Sequence, residues 1–138
     1  MRGTKNKIFV DSNIVLYLLS ADEAKAGRSE ALLKLRPTIS VQVLNEVTNV
    51  CARKLKMAWA DIGQFLDVVK GLCDVVPLTA ATHDHARLVA ECHGISFYDA
   101  CIVAAASIEG CQTLYTEDMH HGLVIEGRLM LRNPFADA

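Results

Sequence analysis

The sequence predicts one α/β domain: a mostly parallel central sheet of four to five strands flanked by helices. Three observations carry that prediction. Short β-branched and aromatic runs, the first of them Ile8-Phe9-Val10, read as buried strands and recur at intervals wide enough to hold a helix. The segments between them place apolar residues three and four apart, the helical period. Strands that alternate with helices in this way pair in parallel through crossover connections. The 138 residues, 51% of them hydrophobic, suit a single domain over 1–138 with a full-sized core.

Taken in order, the first strand covers residues 7–11 and stops at Asp11. Residues 13–19 read as a short buried helix, and a more polar one reaches about Leu35 before Pro37 ends it. Residues 38–41 form the next strand, and Ser40 is placed to cap a helix running through Lys56. Leu44, Val47, Cys51 and Leu55 fall at helical spacing on its buried side, with Glu46 beside that stripe. A further helix over 60–72 turns Ile62, Phe65, Leu66 and Val69 inward. Trp59, which opens it, is expected in the core rather than stacked on a base. Residues 74–78 end a strand; Thr79 then caps a helix reaching about His93, where Gly94 stops it. Residues 95–98 lead into an alanine-rich helix that carries Asp99 in its first turn. The strand at 112–116 ends at Glu117-Asp118, and an edge strand at 128–132 is broken by Asn133-Pro134.

Composition removes several function classes. No apolar run approaches the roughly 18 to 20 residues that span a membrane. The basic start, residues 1–6, is followed by a strand and an aspartate rather than by a signal-peptide core, so the cytoplasm is the expected location. Five cysteines with no C-x-x-C pair read as reduced, mostly core residues. Neither they nor the five histidines show a zinc-binding spacing. The formal charge of -2 means that any contact with nucleic acid uses a local patch.

The residues that point to chemistry are acids. Asp11 follows the first strand, Glu46 sits in the helix after the second, Asp99 opens a later helix, and Asp118 follows the penultimate strand. In an open α/β sheet these positions converge beyond the carboxyl ends of the strands. Unit charges ~4 Å apart repel by on the order of 1 kcal/mol in water and by more when semi-buried. Gathered carboxylates therefore hold protons or bind a cation, and hard oxygen ligands favour Mg²⁺, or Mn²⁺ in its place. Such an ion, with the waters it keeps and the phosphate oxygens it recruits, hydrolyses phosphodiesters. Three of the acids also have a plainer reading: Asp11 as a helix cap, Glu46 as a solvated side chain, Asp99 as a partner of a helix dipole.

These residues resemble a PIN-domain ribonuclease, and particularly the VapC-type toxins of toxin–antitoxin pairs. The matching stretches are Phe9-Val10-Asp11-Ser12-Asn13, Val43-Leu44-Asn45-Glu46-Val47, Phe97-Tyr98-Asp99-Ala100 and Leu114-Tyr115-Thr116-Glu117-Asp118 continuing to Gly122, in the family's order and across almost the whole chain. The resemblance implies a single PIN-like domain in which Asp11, Glu46, Asp99 and Asp118 bind Mg²⁺ and activate water for endoribonuclease cleavage. It implies that Ser12, Asn13 and Thr116 orient the carboxylates or waters. It also implies an RNA substrate, a small antitoxin partner and a homodimer. Many relatives carry a further acid soon after the position of Asp118, whereas here Met119, His120 and His121 follow; the number of metals is left open. Glu117 is expected to point away from the site, and His120 and His121 to lie in a solvated loop. Arg53, Lys54 and Lys56, with Lys34 and Arg36, are candidates for contact with RNA phosphates.

The alternatives are a non-catalytic PIN-like module that binds RNA or protein, and a housekeeping PIN nuclease without an antitoxin. A phosphoacceptor or phosphatase domain fits less well. A haloacid-dehalogenase-like phosphatase needs an Asp two residues after the nucleophile, where this chain has Asn13.

Overall fold

The structure is a computed structural model and describes residues 6–136. The basic start at 1–5, part of the sequence-based argument on targeting, lies outside the described residues. β1 (Ile8–Val10) leads into α1 (Ser12–Leu16), a 3-10 turn (Tyr17–Leu19) and α2 (Glu23–Leu33). β2 (Thr38–Ser40) is followed by α3 (Val41–Arg53) and α4 (Trp59–Leu72). β3 (Asp74–Val76) precedes α5 (Ala80–His93) and α6 (Phe97–Ile108), and β4 (Thr113–Tyr115), β5 (Val124–Ile125) and β6 (Leu129–Arg132) complete the chain.

The sheet runs β3-β2-β1-β4-β6-β5, and only β5 is antiparallel to its neighbour. Five of these strands fall where the sequence places them. The sixth, β5, corrects the expected count of four to five. It has two residues between Gly122 and Gly127, too few to show a strand period. It pairs with β6 across a turn that takes Glu126 and Gly127 through φ of 53° and 69°. The Ser107 hydroxyl donates to the Glu126 carboxylate, His85 Nε2 lies 3.0 Å from it, and these contacts hold the turn against α5 and α6.

Consecutive residues of a strand point to opposite faces, so a strand buried at every position is covered on both. Phe9 and Val10 of β1, and Thr38, Ile39 and Ser40 of β2, are all buried. α6 closes the core, with residues 100–107 buried without a break. Its alanines keep the helix narrow where it meets α3, α5 and β2. The expected caps Ser40 and Thr79 each accept a hydrogen bond from a backbone N–H of the first turn, and Ser96, not anticipated from sequence, does the same for α6. Gly94 ends α5 in the left-handed conformation, φ 66°.

Two expectations about burial need correcting. α3 ends at Arg53 rather than Lys56, so Leu55 falls beyond the helix and is exposed instead of continuing the buried stripe. Trp59 is 70% exposed rather than in the core, because the first turn of α4 seats Ile62 inward and leaves Trp59 facing out. Among the described residues no single helix is long and apolar enough to cross a membrane.

Candidate active site

β1 connects on one side to β2 and β3, and the chain returns to β4 on the other, so the direction of strand order reverses between β1 and β4. The carboxyl ends of two such strands diverge and leave a crevice. Asp11 stands there, directly after β1, its N–H donating to the Tyr115 carbonyl at the end of β4 at 3.0 Å.

Asp11 is 2% exposed and is tied on both oxygens. Oδ1 accepts from the Ser12 N–H at 2.6 Å and the Ser12 hydroxyl at 3.3 Å. Oδ2 accepts from the Thr116 hydroxyl at 2.8 Å and the Asn13 amide at 3.4 Å. The first of these bonds makes Asp11 the cap of α1, so the plainer reading of this residue is correct as far as it goes. The rest of its contacts exceed what a cap needs.

Ser12 also donates to Glu46 Oε1 at 2.7 Å, which joins Asp11 to Glu46 through one hydroxyl. Asn13 donates to Asp118 Oδ2 at 2.9 Å and accepts from the Glu117 N–H at 3.2 Å. It thereby joins Asp11 to Asp118 and pins the loop after β4. The Asp118 N–H is held by Thr116 Oγ1 at 3.3 Å. Asp99 enters from the first turn of α6, where its own N–H is capped by Ser96.

Electrostatics show that the acids sense one another. Burial pushes the Asp11 carboxyl up to about 6; the Thr116 and Ser12 hydrogen bonds oppose this, and the charges of Glu46 and Asp99 add to it. Asp99 is likewise raised, first by burial and then by the charge of Asp118, against the pull of its Ser96 hydrogen bond. Hydrogen bonds thus link Asp11 to Glu46 through Ser12 and to Asp118 through Asn13, while Asp99 on α6 is related to them by the action of its charge on Asp11.

Two features were not legible beforehand: the bond from Gln42 to Glu46, and the partners that turn Glu117 away as expected. Gln42, one helical turn before Glu46 and nearly buried, donates to Glu46 Oε2 at 3.1 Å. Its signal was the i, i+4 spacing of a polar pair beside an apolar stripe. Glu117 does point away from the acid group. It accepts from Lys25 Nζ at 2.6 Å and from the Tyr17 hydroxyl. Burial works to raise its carboxyl, and the Lys25 and Tyr17 hydrogen bonds outweigh that and hold it below the usual range.

The basic candidates separate into two groups. Arg53, Lys54 and Lys56 are exposed where α3 ends. Arg36 lies at the opposite end of the sheet, before β2, where its guanidinium pairs with Asp74 at 3.0 Å and donates to the Gly71 carbonyl. Lys34 stands near Glu30 at 3.9 Å. Neither of these two belongs with the acid group. His120 and His121 are exposed, and His121 Nδ1 accepts from the Asn133 N–H at 2.9 Å.

No group of three or more His, Cys, Asp or Glu side chains among the described residues is arranged to hold a metal ion as it stands. The donor chemistry suits a hard divalent cation all the same. The four side chains offer only carboxylate oxygen, the partners named above that hold Asp11, Glu46 and Asp118 are neutral, and Asp11 carries an electrostatic burden that a cation would relieve.

The family model of the PIN domain matches residues 8–122. The chain belongs to the PIN domain family. Among solved structures, this PIN domain is similar to a toxin–antitoxin complex from Klebsiella pneumoniae, with a TM-score of 0.68 and 20% identity over 94% of this chain and 98% of that one. It is similar to VapC20 of Mycobacterium tuberculosis, described as a Sarcin-Ricin loop cleaving toxin, with a TM-score of 0.66 and 24% identity over 81% and 90% of the two chains. It is also similar to FitAcB from Neisseria gonorrhoeae, with a TM-score of 0.64 and 20% identity over 94% and 99%. At such identities the likeness speaks for the fold. Comparison with curated proteins gives no match.

Proposed function

We propose that this PIN domain is a metal-dependent endoribonuclease acting in the cytoplasm as the toxin of a two-component toxin–antitoxin pair. One observation supports this above the rest: a buried Asp11, raised to about 6, linked through Ser12 to Glu46 and through Asn13 to Asp118 at the crevice between β1 and β4. A structural carboxylate needs no such company. The toxin–antitoxin complexes among the similar structures support a small antitoxin as partner, and VapC20, a toxin that cleaves the Sarcin-Ricin loop, supports RNA as substrate. The homodimer remains part of the proposal on the same family grounds.

Asp11, Glu46, Asp99 and Asp118 would hold Mg²⁺ or Mn²⁺. When bound there, the ion supplies an acidified water and positive charge for the phosphate oxygens. Thr116 and Ser12 fix the direction of the Asp11 oxygens by hydrogen bonding, and Gln42 fixes Glu46. Asn13 keeps Asp118 facing Asp11. Lys25 and Tyr17 hold Glu117 out of the acid group and so keep its charge from adding to the repulsion. Arg53, Lys54 and Lys56 would meet the RNA backbone.

The test is cleavage of structured RNA by the purified protein with Mg²⁺. Asp11→Asn and Asp99→Asn should fold as the parent does and lose cleavage. If both cut like the parent, the acid-site mechanism fails. Absence of both cleavage and Mg²⁺ binding in the parent would leave a non-catalytic PIN-like module in its place.

A further inference from the structure

α3 carries a second feature on the side that leads away from the acid group. Asn45, Thr48, Asn49, Ala52, Arg53 and Trp59 line a groove of about 450 Å³ between α3 and the start of α4. Glu46, Asn49 and Arg53 follow one another at i, i+3 and i+7, so one stripe of the helix runs from the acid site into this groove. The rise from Glu46 to Arg53 is ~10 Å. Trp59, the one tryptophan of the chain, stands at its far end with 70% of its surface in solvent.

The backbone beneath that ring is held by hydrogen bonds. The Leu55 N–H donates to the Val50 carbonyl at 3.1 Å and the Met57 N–H to the Cys51 carbonyl at 3.0 Å, while the half-buried Met57 packs on the core. The Asp61 and Ile62 N–H groups close the first turn of α4 on the Ala58 carbonyl at 3.0 Å each. Trp59 is thus an exposed aromatic on a rigid support. Three basic side chains precede it, Arg53, Lys54 and Lys56, and one acid, Asp61, follows it in the first turn of α4.

We propose that this groove carries a single strand of RNA away from the acid site, with Trp59 stacking on an unpaired base. Arg53, Lys54 and Lys56 neutralise backbone phosphates, and the amides of Asn45 and Asn49 meet base edges. The proposal rests on the ribonuclease reading and adds the path of the strand beyond the acid site and the residue on which it stacks. Tryptophan and arginine also anchor protein interfaces, but the core of such an interface is depleted of lysine. Here amides and a hydroxyl line the groove beside Arg53 and Trp59, and Lys54 and Lys56 lie between those two in the chain. A duplex keeps its bases stacked inside and offers no free π-face to an indole, whereas single strands combine backbone charge with aromatic stacking in this way.

Because Trp59 is the sole tryptophan, its fluorescence reports on the groove directly. The full chain carrying Asp11→Asn is titrated with a short unpaired oligoribonucleotide of mixed sequence. Saturable quenching is expected, weakening as salt is added, with the same sequence as a duplex quenching far less. In parallel, Trp59→Ala in the otherwise unaltered protein should raise the KM for cleavage ~10-fold while kcat changes little, and Trp59→Phe should recover most of that loss. If the parent cleaves RNA but the tryptophan emission ignores it, the groove proposal fails and the ribonuclease reading stands. Emission that shifts with protein concentration in the absence of RNA assigns the groove to a second copy of the chain and likewise overturns the proposal. If RNA is neither cut nor bound, the ribonuclease reading fails and takes the groove with it.

Discussion

Asp11 is the residue on which burial, hydrogen bonding and charge repulsion meet, and its titration gives a sharp expectation. Its carboxyl moves from 3.8 to about 6 on folding. The folded chain therefore holds this proton more tightly than the unfolded one. The stabilising contribution is complete below 3.8 and is lost as the pH rises through about 6. Between about pH 4 and 7, in the presence of a chelator, the parent should lose on the order of 2 kcal/mol of stability relative to Asp11→Asn, read by urea unfolding at each pH. Parallel pH profiles for the two proteins would contradict the buried, uncompensated carboxylate. Thr116 offers a companion case. Thr116→Val keeps the shape and removes the hydroxyl that holds Asp11 Oδ2, and cleavage should fall by ~10- to 100-fold. An undiminished rate would show that the bond does not orient the carboxylate. Cysteine is simpler: burial pushes the thiols of Cys73 and Cys111 up to about 12 and about 11, Cys51 and Cys101 are buried too, and Cys92 alone is exposed. Iodoacetamide at mildly alkaline pH should modify one thiol in the folded protein and all five in denaturant.

At the scale of elements, what the sequence made legible is what local chemistry dictates. Ser40 and Thr79 announce α3 and α5 because a hydroxyl just before an apolar periodic run satisfies an orphan N–H. Asp11 and Asp118 were legible as site candidates because each ends a strand run. What stayed hidden depends on partners distant in sequence. β5 exists only through its pairing with β6, Trp59 faces out only because of how α4 seats Ile62, and Arg36 meets Asp74 across two strands. The tie between Glu117, Lys25 and Tyr17 spans about a hundred residues and leaves no local pattern. Ser40 supplies the test at this scale, because its hydroxyl caps the helix that carries Glu46 and is itself fully buried. Ser40→Ala should cost about 1 kcal/mol in chemical denaturation. Unchanged stability would mean that the Val43 N–H finds another partner.

The whole molecule joins a marginal free energy of folding to a site that works against it. Domains of this kind are stable by only about 5 to 15 kcal/mol, so a cluster of acids in one crevice is a sizeable fraction of the total. The fold tolerates them because α1, α3, α6 and the loop after β4 are anchored elsewhere in a common core: Ile14 and Val15 from α1, Val43 and Val47 from α3, and 100–106 from α6 are all buried. That arrangement couples ion binding to folding. A cation that binds the gathered carboxylates of the native state, and not the scattered ones of the unfolded chain, stabilises by RT ln(1 + [L]/Kd), about 2.7 kcal/mol at a hundredfold excess over Kd. In a domain of this size that raises Tm by several degrees. Titration with Mg²⁺, and with Mn²⁺, should therefore raise the melting temperature along a saturating curve. Asp11→Asn should flatten that curve, and Glu126→Gln, altered in the turn between β5 and β6 on the far side of β4, should leave the increment intact. A melting temperature indifferent to both ions in the parent would show that the four acids do not form a cation site, and the proposed mechanism would lose its foundation.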